Sequence, residues 1–255
     1  MQSPSDPFDP QPLLAGLTVA LDTDVLIGQF PDRPGPSGDA ASVRAMLADR
    51  GVTGASVASL RAALFDLASG NDDVLSLPPS SVGVVAVGAL DLRDPIGSAS
   101  ELERLATAGV RAVRFFPDEQ GVQPDFPAVR HLARLATHAG LVILSGGDVR
   151  RFWRPLCGLG ATVVFLDTHF YHLGDFLLVA ADEPGFHTST RLLTSPDGLE
   201  QVTAHVGAQR LLFGSRAPTY EPLVPMLRLA TSTLSPEEKR MVAGGNAIRL
   251  LGADS

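Results

Sequence analysis

The chain has 255 residues, 45% hydrophobic and 19% charged, which suits one large domain or two small ones and excludes a disordered chain. Its net charge of −8 argues against a nucleic-acid surface, which needs a basic stripe. Cys157 is the one cysteine, so neither a disulfide framework nor a cysteine-based zinc site is available.

Residues 1–12 are polar and Pro-rich and lack the basic and apolar regions of a signal peptide. No uninterrupted apolar run approaches a membrane span, and a cytoplasmic protein without membrane partners is expected. Residues 1–16 are read as a flexible tail and 17–255 as one domain. Residues 18–31 open the fold as an apolar, β-forming run that ends in a Gly- and Pro-rich loop, 28–38. Side chains alternate along a strand, so Asp22, Asp24 and Leu26 share one face. Two carboxylates on an apolar strand are costly to bury without partners, so they mark a place where the strand opens into a cavity.

Helical spacing follows over 38–50, a short strand over 52–57, and a helix over 60–68 ended by Gly70-Asn71, with a second piece near 72–77. Residues 82–90 read as a buried strand, 99–108 as a helix capped by Ser98 and closed by Gly109, and 110–116 as a strand carrying Arg111 and Arg114. The alternation continues with a helix over 126–139, a strand over 141–144, and a helix over 149–159 interrupted at Pro155. A strand over 162–166 enters Asp167-Thr168-His169, and 173–181 is helical. Residues 186–190 form a strand, 196–206 a helix, and 210–213 a strand entering Gly214-Ser215-Arg216. Two helices over 221–231 and 236–251 close the chain. About eight βα units predict a (β/α)8 TIM barrel. An open doubly wound sheet has less support, because no Gly-rich phosphate loop follows the first strand.

Barrel chemistry lies at the carboxyl ends of the strands. Those ends supply Asp22 and Asp24, Arg114, Ser145, Asp167 and His169, His187 and Ser189, then Ser215 and Arg216. Each has a structural alternative: Asp24 as a cap, Arg114 as a salt-bridge partner of Asp22 or Asp24, Arg216 as a neutraliser of the same acids. Their convergence at one end favours a ligand site. His131, His138 and His205 lie on helices without acids beside them and are read as structural. His169 and His172 have a ligand-like spacing but no supporting donors. Trp153 and Cys157 are read as packing residues.

Several motifs together resemble the amidohydrolase-related (amidohydrolase 2 type) family of metal-dependent hydrolases. Leu21-Asp22-Thr23-Asp24-Val25-Leu26-Ile27-Gly28 is similar to its first-strand Ile-Asp-x-His-x-His-x-Gly pattern. Gly70-Asn71-Asp72 resembles a Gly-Asn loop after the second strand, and Gly109 to Arg114 its fourth-strand motif. Leu212-Phe213-Gly214-Ser215-Arg216-Ala217-Pro218 resembles its eighth-strand Leu-Phe-Gly-Ser-Asp-x-Pro, and Gly245 to Leu251 its closing Gly-Asn-Ala-x-Arg-Leu-Leu helix.

The resemblance implies a TIM barrel, and its departures fall on the metal ligands. The first-strand histidine positions hold Asp24 and Leu26, the fifth-strand histidine position Ser145, and the eighth-strand aspartate position Arg216. The sixth-strand histidine position falls on Asp167, or on His169 if the register slips by two. A permanent guanidinium and an apolar side chain are not ligands for a dication, so neither a metal nor another cofactor is expected.

The reading placed first is a degenerate, non-hydrolytic binding or partner subunit, as a homo-oligomer or beside an active paralogue. The alternative is a metal-independent hydrolase or lyase for a small anionic, carboxylate-bearing substrate. Its acid–base residues would be Asp24, Asp167 and His169, and its substrate contacts Asp22, Arg114, Ser145, His187 and Arg216.

Overall fold

The computed structural model describes residues 10–32, 35 and 38–252. Most of the tail assigned to residues 1–16, and part of the loop over 28–38, lie outside the described residues.

Eight parallel strands form the sheet, paired in chain order: β1 (Asp22–Ile27), β2 (Gly54–Ser59), β3 (Gly83–Leu90), β4 (Ala112–Phe115), β5 (Val142–Ser145), β6 (Val163–Phe165), β7 (Phe186–Ser189) and β8 (Leu211–Leu212). The first and last strands meet through Thr23 N–H to Phe213 O at 2.9 Å and Leu26 N–H to Ala217 O at 2.8 Å. The architecture is a (β/α)8 TIM barrel. Its helices are α1 (Gln11–Leu14), α2 (Ala40–Asp49), α3 (Leu60–Leu64), α4 (Leu67–Leu75), α5 (Pro95–Thr107), α6 (Pro127–His138), α7 (Val149–Leu156), α8 (Leu173–Asp182), α9 (Gly198–Val206), α10 (Leu223–Ala230), α11 (Pro236–Arg240) and α12 (Asn246–Leu251). None of the helices is long and apolar enough to cross a membrane among the described residues.

Strand alternation divides the core into two clusters. Val25, Val113, Ile143, Phe165 and Phe186 belong to the outer one, with helix residues such as Leu132 and Phe176. Leu26, Ala112, Val142, Leu144, Val164 and Leu212 belong to the inner one. Strands buried on both faces read as continuous apolar runs, which is why the sequence marks them so clearly.

Three local expectations are corrected. The helix after β3 begins at Pro95 with Asp94 as its cap, accepting from Gly97 N–H, rather than at Ser98. Ser98 is buried, and its hydroxyl ties the chain to Asp91. Gly70-Asn71 does not end a helix or form a loop but sits inside α4. A Cβ on Gly70 would lie 2.1 Å from Ala62 N, so the missing side chain is what lets α4 cross α3. Buried Asn71 brackets β3, accepting from Ala89 N–H and donating to Ala89 O and Glu101. The final helix is likewise two helices, broken at Gly244, whose φ of 154° lets the chain pass Leu21 and Ala20 closely.

Candidate functional site at the barrel mouth

The charges at the carboxyl end of the barrel form one network. Asp24, on the inward parity of β1, is fully buried. Its Oδ1 accepts from Arg114 Nη1 at 2.6 Å, and its Oδ2 from Arg216 Nε at 3.2 Å. Arg191 Nε stands 3.7 Å from the same Oδ2, an ion-pair distance. Arg216 Nη2 reaches on to Asp167 at 2.8 Å, and Arg191 Nη2 also pairs with Asp167. Three guanidinium groups thus pair directly with two carboxylates, while Glu119 and Asp118, on the segment after β4, act on Arg114 and Arg216 through the field without an ion pair. Arg114 is the most enclosed cation, its side chain 2% exposed and stacked 4.6 Å from the Phe116 ring centre. Asp167 is the most open member of the network, at 15% exposure.

Electrostatics follow the geometry. Burial alone would raise the Asp24 carboxyl, but the three surrounding guanidinium charges outweigh it and hold its pKa below the ordinary value. Burial lowers the Arg114 guanidinium and lowers Arg191 to about 10. Arg216 adopts φ +62°, the left-handed region that a long side chain seldom takes. Its bonds to Asp24 and Asp167 hold it there. Gly214 supplies the room beside it, since a Cβ would fall 2.4 Å from Ser189 Oγ and 3.2 Å from Asp24 Cβ.

Arg191 is the member that sequence reasoning missed. The inward alternation of His187 and Ser189 along β7 carries on to Arg191 just beyond the strand. The signal was that spacing. The loop bearing Arg191 is joined to the loop after β6 by Phe170 N–H to Leu192 O at 3.1 Å, and Arg191 lies over the Tyr220 ring, 5.3 Å from its centre.

Of the predicted site residues, the structure brings together Asp24, Arg114, Asp167 and Arg216. Asp22 sits beside them but touches none of the guanidinium groups. It clasps β1 to the segment after β8, accepting from Asp24 N–H and Ser215 N–H at 3.0 Å each and from Ser215 Oγ at 2.5 Å. Burial without a cation raises its pKa to about 7, despite those hydrogen bonds.

Ser145 has the outward parity of Ile143, and its hydroxyl donates to Gly146 O, so alternation turns it away from the network. His187 is inward but early on β7. Its Nδ1 lies 2.9 Å from Gly185 O, ahead of the strand, and burial lowers its pKa to about 4. It therefore occupies the amino-terminal end of the barrel, away from the mouth. His169 forms no bond to the charged network; its Nδ1 accepts from Tyr171 N–H, and its ring stacks on Tyr171 at 5.0 Å. Asp167, not His169, delivers the charge of that loop.

A βα barrel with a charged constellation at its carboxyl end has the architecture in which barrel enzymes build their sites, and similar folds are known. A 5-carboxyvanillate decarboxylase from Sphingomonas paucimobilis is 15% identical, with a TM-score of 0.72 over 92% of this chain and 99% of its own. A candidate 2-pyrone-4,6-dicarboxylic acid hydrolase from Pseudomonas putida is 17% identical, at 0.71 over 92% and 98%. A dihydroxybenzoic acid decarboxylase from a Polaromonas species, solved with manganese and 2-nitroresorcinol, is 12% identical, at 0.70 over 92% and 97%. No protein-family model matches the chain, and no curated protein matches it. At these identities the likeness establishes the fold alone.

The residues present do not fit a dication. Asp24 and Asp167 are the carboxylates of the network, and each is already engaged by guanidinium groups. Leu26 offers no donor atom, and Arg216 bridges the two acids where a cation would have to sit. Among the described residues, no group of three His, Cys, Asp or Glu side chains could hold a metal ion. A divalent ion would also meet the repulsion of three guanidinium groups within the same network.

Proposed function

We propose that this barrel is a metal-independent hydrolase or lyase for a small carboxylate-bearing substrate, in preference to a non-hydrolytic subunit. The observation that carries the reading is the direct pairing at the mouth, three guanidinium groups sharing two carboxylates in a largely buried setting, with Glu119 and Asp118 reaching Arg114 and Arg216 only through the field. A buried guanidinium that shares its carboxylate is costly, and an arriving anion offsets that cost. Likeness of fold to decarboxylases and a candidate hydrolase, named for carboxylate compounds, supports the same substrate class.

In this reading Arg191 and Arg216 hold the substrate carboxylate through paired N–H donors. Arg114 stays with Asp24 and fixes it as the negative floor of the site. Decarboxylation requires a proton for the carbon that loses carbon dioxide, and hydrolysis requires a base for water. Asp167, the more exposed carboxylate, is in position to accept the proton of the attacking water. Once a substrate carboxylate has taken its place on the guanidinium groups, Asp167 can take up a proton from solvent and pass it to the carbon that loses carbon dioxide, with His169 on the neighbouring turn.

The test is a turnover screen of small aromatic and aliphatic carboxylic acids in the presence of a chelator. Activity that persists with chelator and is lost in Arg191→Ala and Asp167→Asn supports the proposal. Turnover that appears only on adding manganese or zinc would refute metal independence. Tight binding of an acid without turnover would favour the subunit reading instead.

A further inference from the structure

We infer that Asp167 is an internal counter-anion that occupies, on Arg191 and Arg216, the seat a ligand carboxylate takes. The inference rests on the reading of the mouth as a carboxylate site, and it adds how that site is kept filled and how it opens.

The two acids of the network are held differently. Asp24 is fully buried on β1, and its oxygens face three guanidinium groups from different strands or loops. Nothing can replace it without dismantling the barrel end. Asp167 stands in the turn two residues beyond the three-residue β6 and retains 15% exposure. Its partners Arg191 and Arg216 are the two cations with outward exposure, at 9% and 11%. A carboxylate arriving from solvent meets this layer first and forms the same charge-assisted bonds that Asp167 forms.

Exchange also leaves Asp167 a place to go. Its Oδ2 already accepts from Gly147 N–H at 3.0 Å, on the loop after β5. The same Oδ2 also accepts from Arg216 Nη2 at 3.0 Å, so release means turning off both guanidinium groups toward Gly147 N–H, which leaves a free carboxylate next to the bound ligand. The direct pairing agrees. With Asp167 withdrawn, Arg114, Arg191 and Arg216 keep Asp24 as their one direct ion-pair partner, and Glu119 and Asp118 offset them only through the field, so the seat on Arg191 and Arg216 attracts an anion. Tyr220, half-exposed against Arg191, gives an apolar and aromatic wall beside the exchanged seat.

An internal competitor makes a prediction of unusual sign: deleting a polar residue of the site should improve binding. Asp167→Asn removes the competing charge and keeps the size and the Gly147 contact. The probes are benzoate and acetate, with sulfate as a test of charge alone, read by calorimetry and by the rise in melting temperature. Asp167→Asn is expected to bind benzoate about tenfold more tightly than wild type or better. Asp167→Glu, which restores the competing charge, stays near wild type, and Arg191→Ala weakens binding in both backgrounds. Sulfate should likewise bind Asp167→Asn more tightly than wild type, which supports exchange of one anion for another, and no gain for any of the three anions overturns the role.

Should Asp167→Asn melt in plain buffer, the same salts supply the measurement. Refolding with benzoate supports the counter-anion role, and no recovery overturns it. Equal or weaker binding by a folded Asp167→Asn also overturns it. Tighter binding with no turnover of any acid would leave this inference standing while the enzymatic reading fails.

Discussion

Replacing Asp24 by Asn tests the buried network most directly. The carboxylate lies 2.6 Å from Arg114, 3.2 Å from Arg216 and 3.7 Å from Arg191. An amide of the same shape keeps the packing and removes the charge, leaving Arg114 without an ion-pair partner and Arg191 and Arg216 paired with Asp167 only. Removing one partner of a buried pair costs about 3–5 kcal/mol, because the remaining charge stays desolvated. In a domain of this size each kcal/mol moves the melting temperature by roughly 2–4 °C, so Asp24→Asn should lower it by roughly 6–20 °C. Circular dichroism during thermal or urea unfolding reads the change. Arg114→Met in the same chain removes the most enclosed of the stranded cations. The double variant should therefore lose less than the sum of the singles, by about 0.5–3 kcal/mol. A drop below about 2 °C for Asp24→Asn, or simple additivity in the cycle, would refute the claim that this carboxylate neutralises the buried guanidinium groups.

Three further outcomes follow from particular residues. Asp22, raised to about 7, makes the folded state bind a proton the unfolded state lacks, so its contribution is lost as pH rises from about 4 to 7; His187, lowered to about 4, makes the unfolded state bind the extra proton, so its contribution is lost as pH falls from about 6.5 to 4. The two slopes oppose each other in wild type. Asp22→Asn should leave stability rising with pH across that window, and His187→Gln should leave it falling; denaturation midpoints between pH 4 and 8 showing the same slope in both would contradict the assignment. Prolonged chelation should leave the melting temperature unchanged and added manganese or zinc should not raise it, with elemental analysis as the check; a stoichiometric ion would show that the guanidinium network does not stand in for one. Gly70→Ala should destabilise by about 1–3 kcal/mol or more, since its Cβ would fall 2.1 Å from Ala62 N, whereas Gly174→Ala, with open space around it, should be neutral or stabilising by up to about 1 kcal/mol.

The barrel could be read from the order of residues alone. Continuous apolar strands alternating with amphipathic helices leave few solutions, and the strand ends from β1 to β8 were close enough to name Asp24, Arg114, Asp167 and Arg216. That the strand ends hold Leu26 and Arg216 was also visible, because identity at a position needs no coordinates. Only tertiary structure decided the rest. Strand parity turned Ser145 outward, and the depth of His187 along β7 placed it at the opposite end. Asp22 became a clasp because the segment after β8 presents Ser215 to it, and Arg191 joined the site because two loops are bonded together. Local periodicity records which face a side chain takes. How far along the barrel axis it lies, and which distant charge it meets there, depends on closing eight strands whose partners are up to 193 residues apart in the chain.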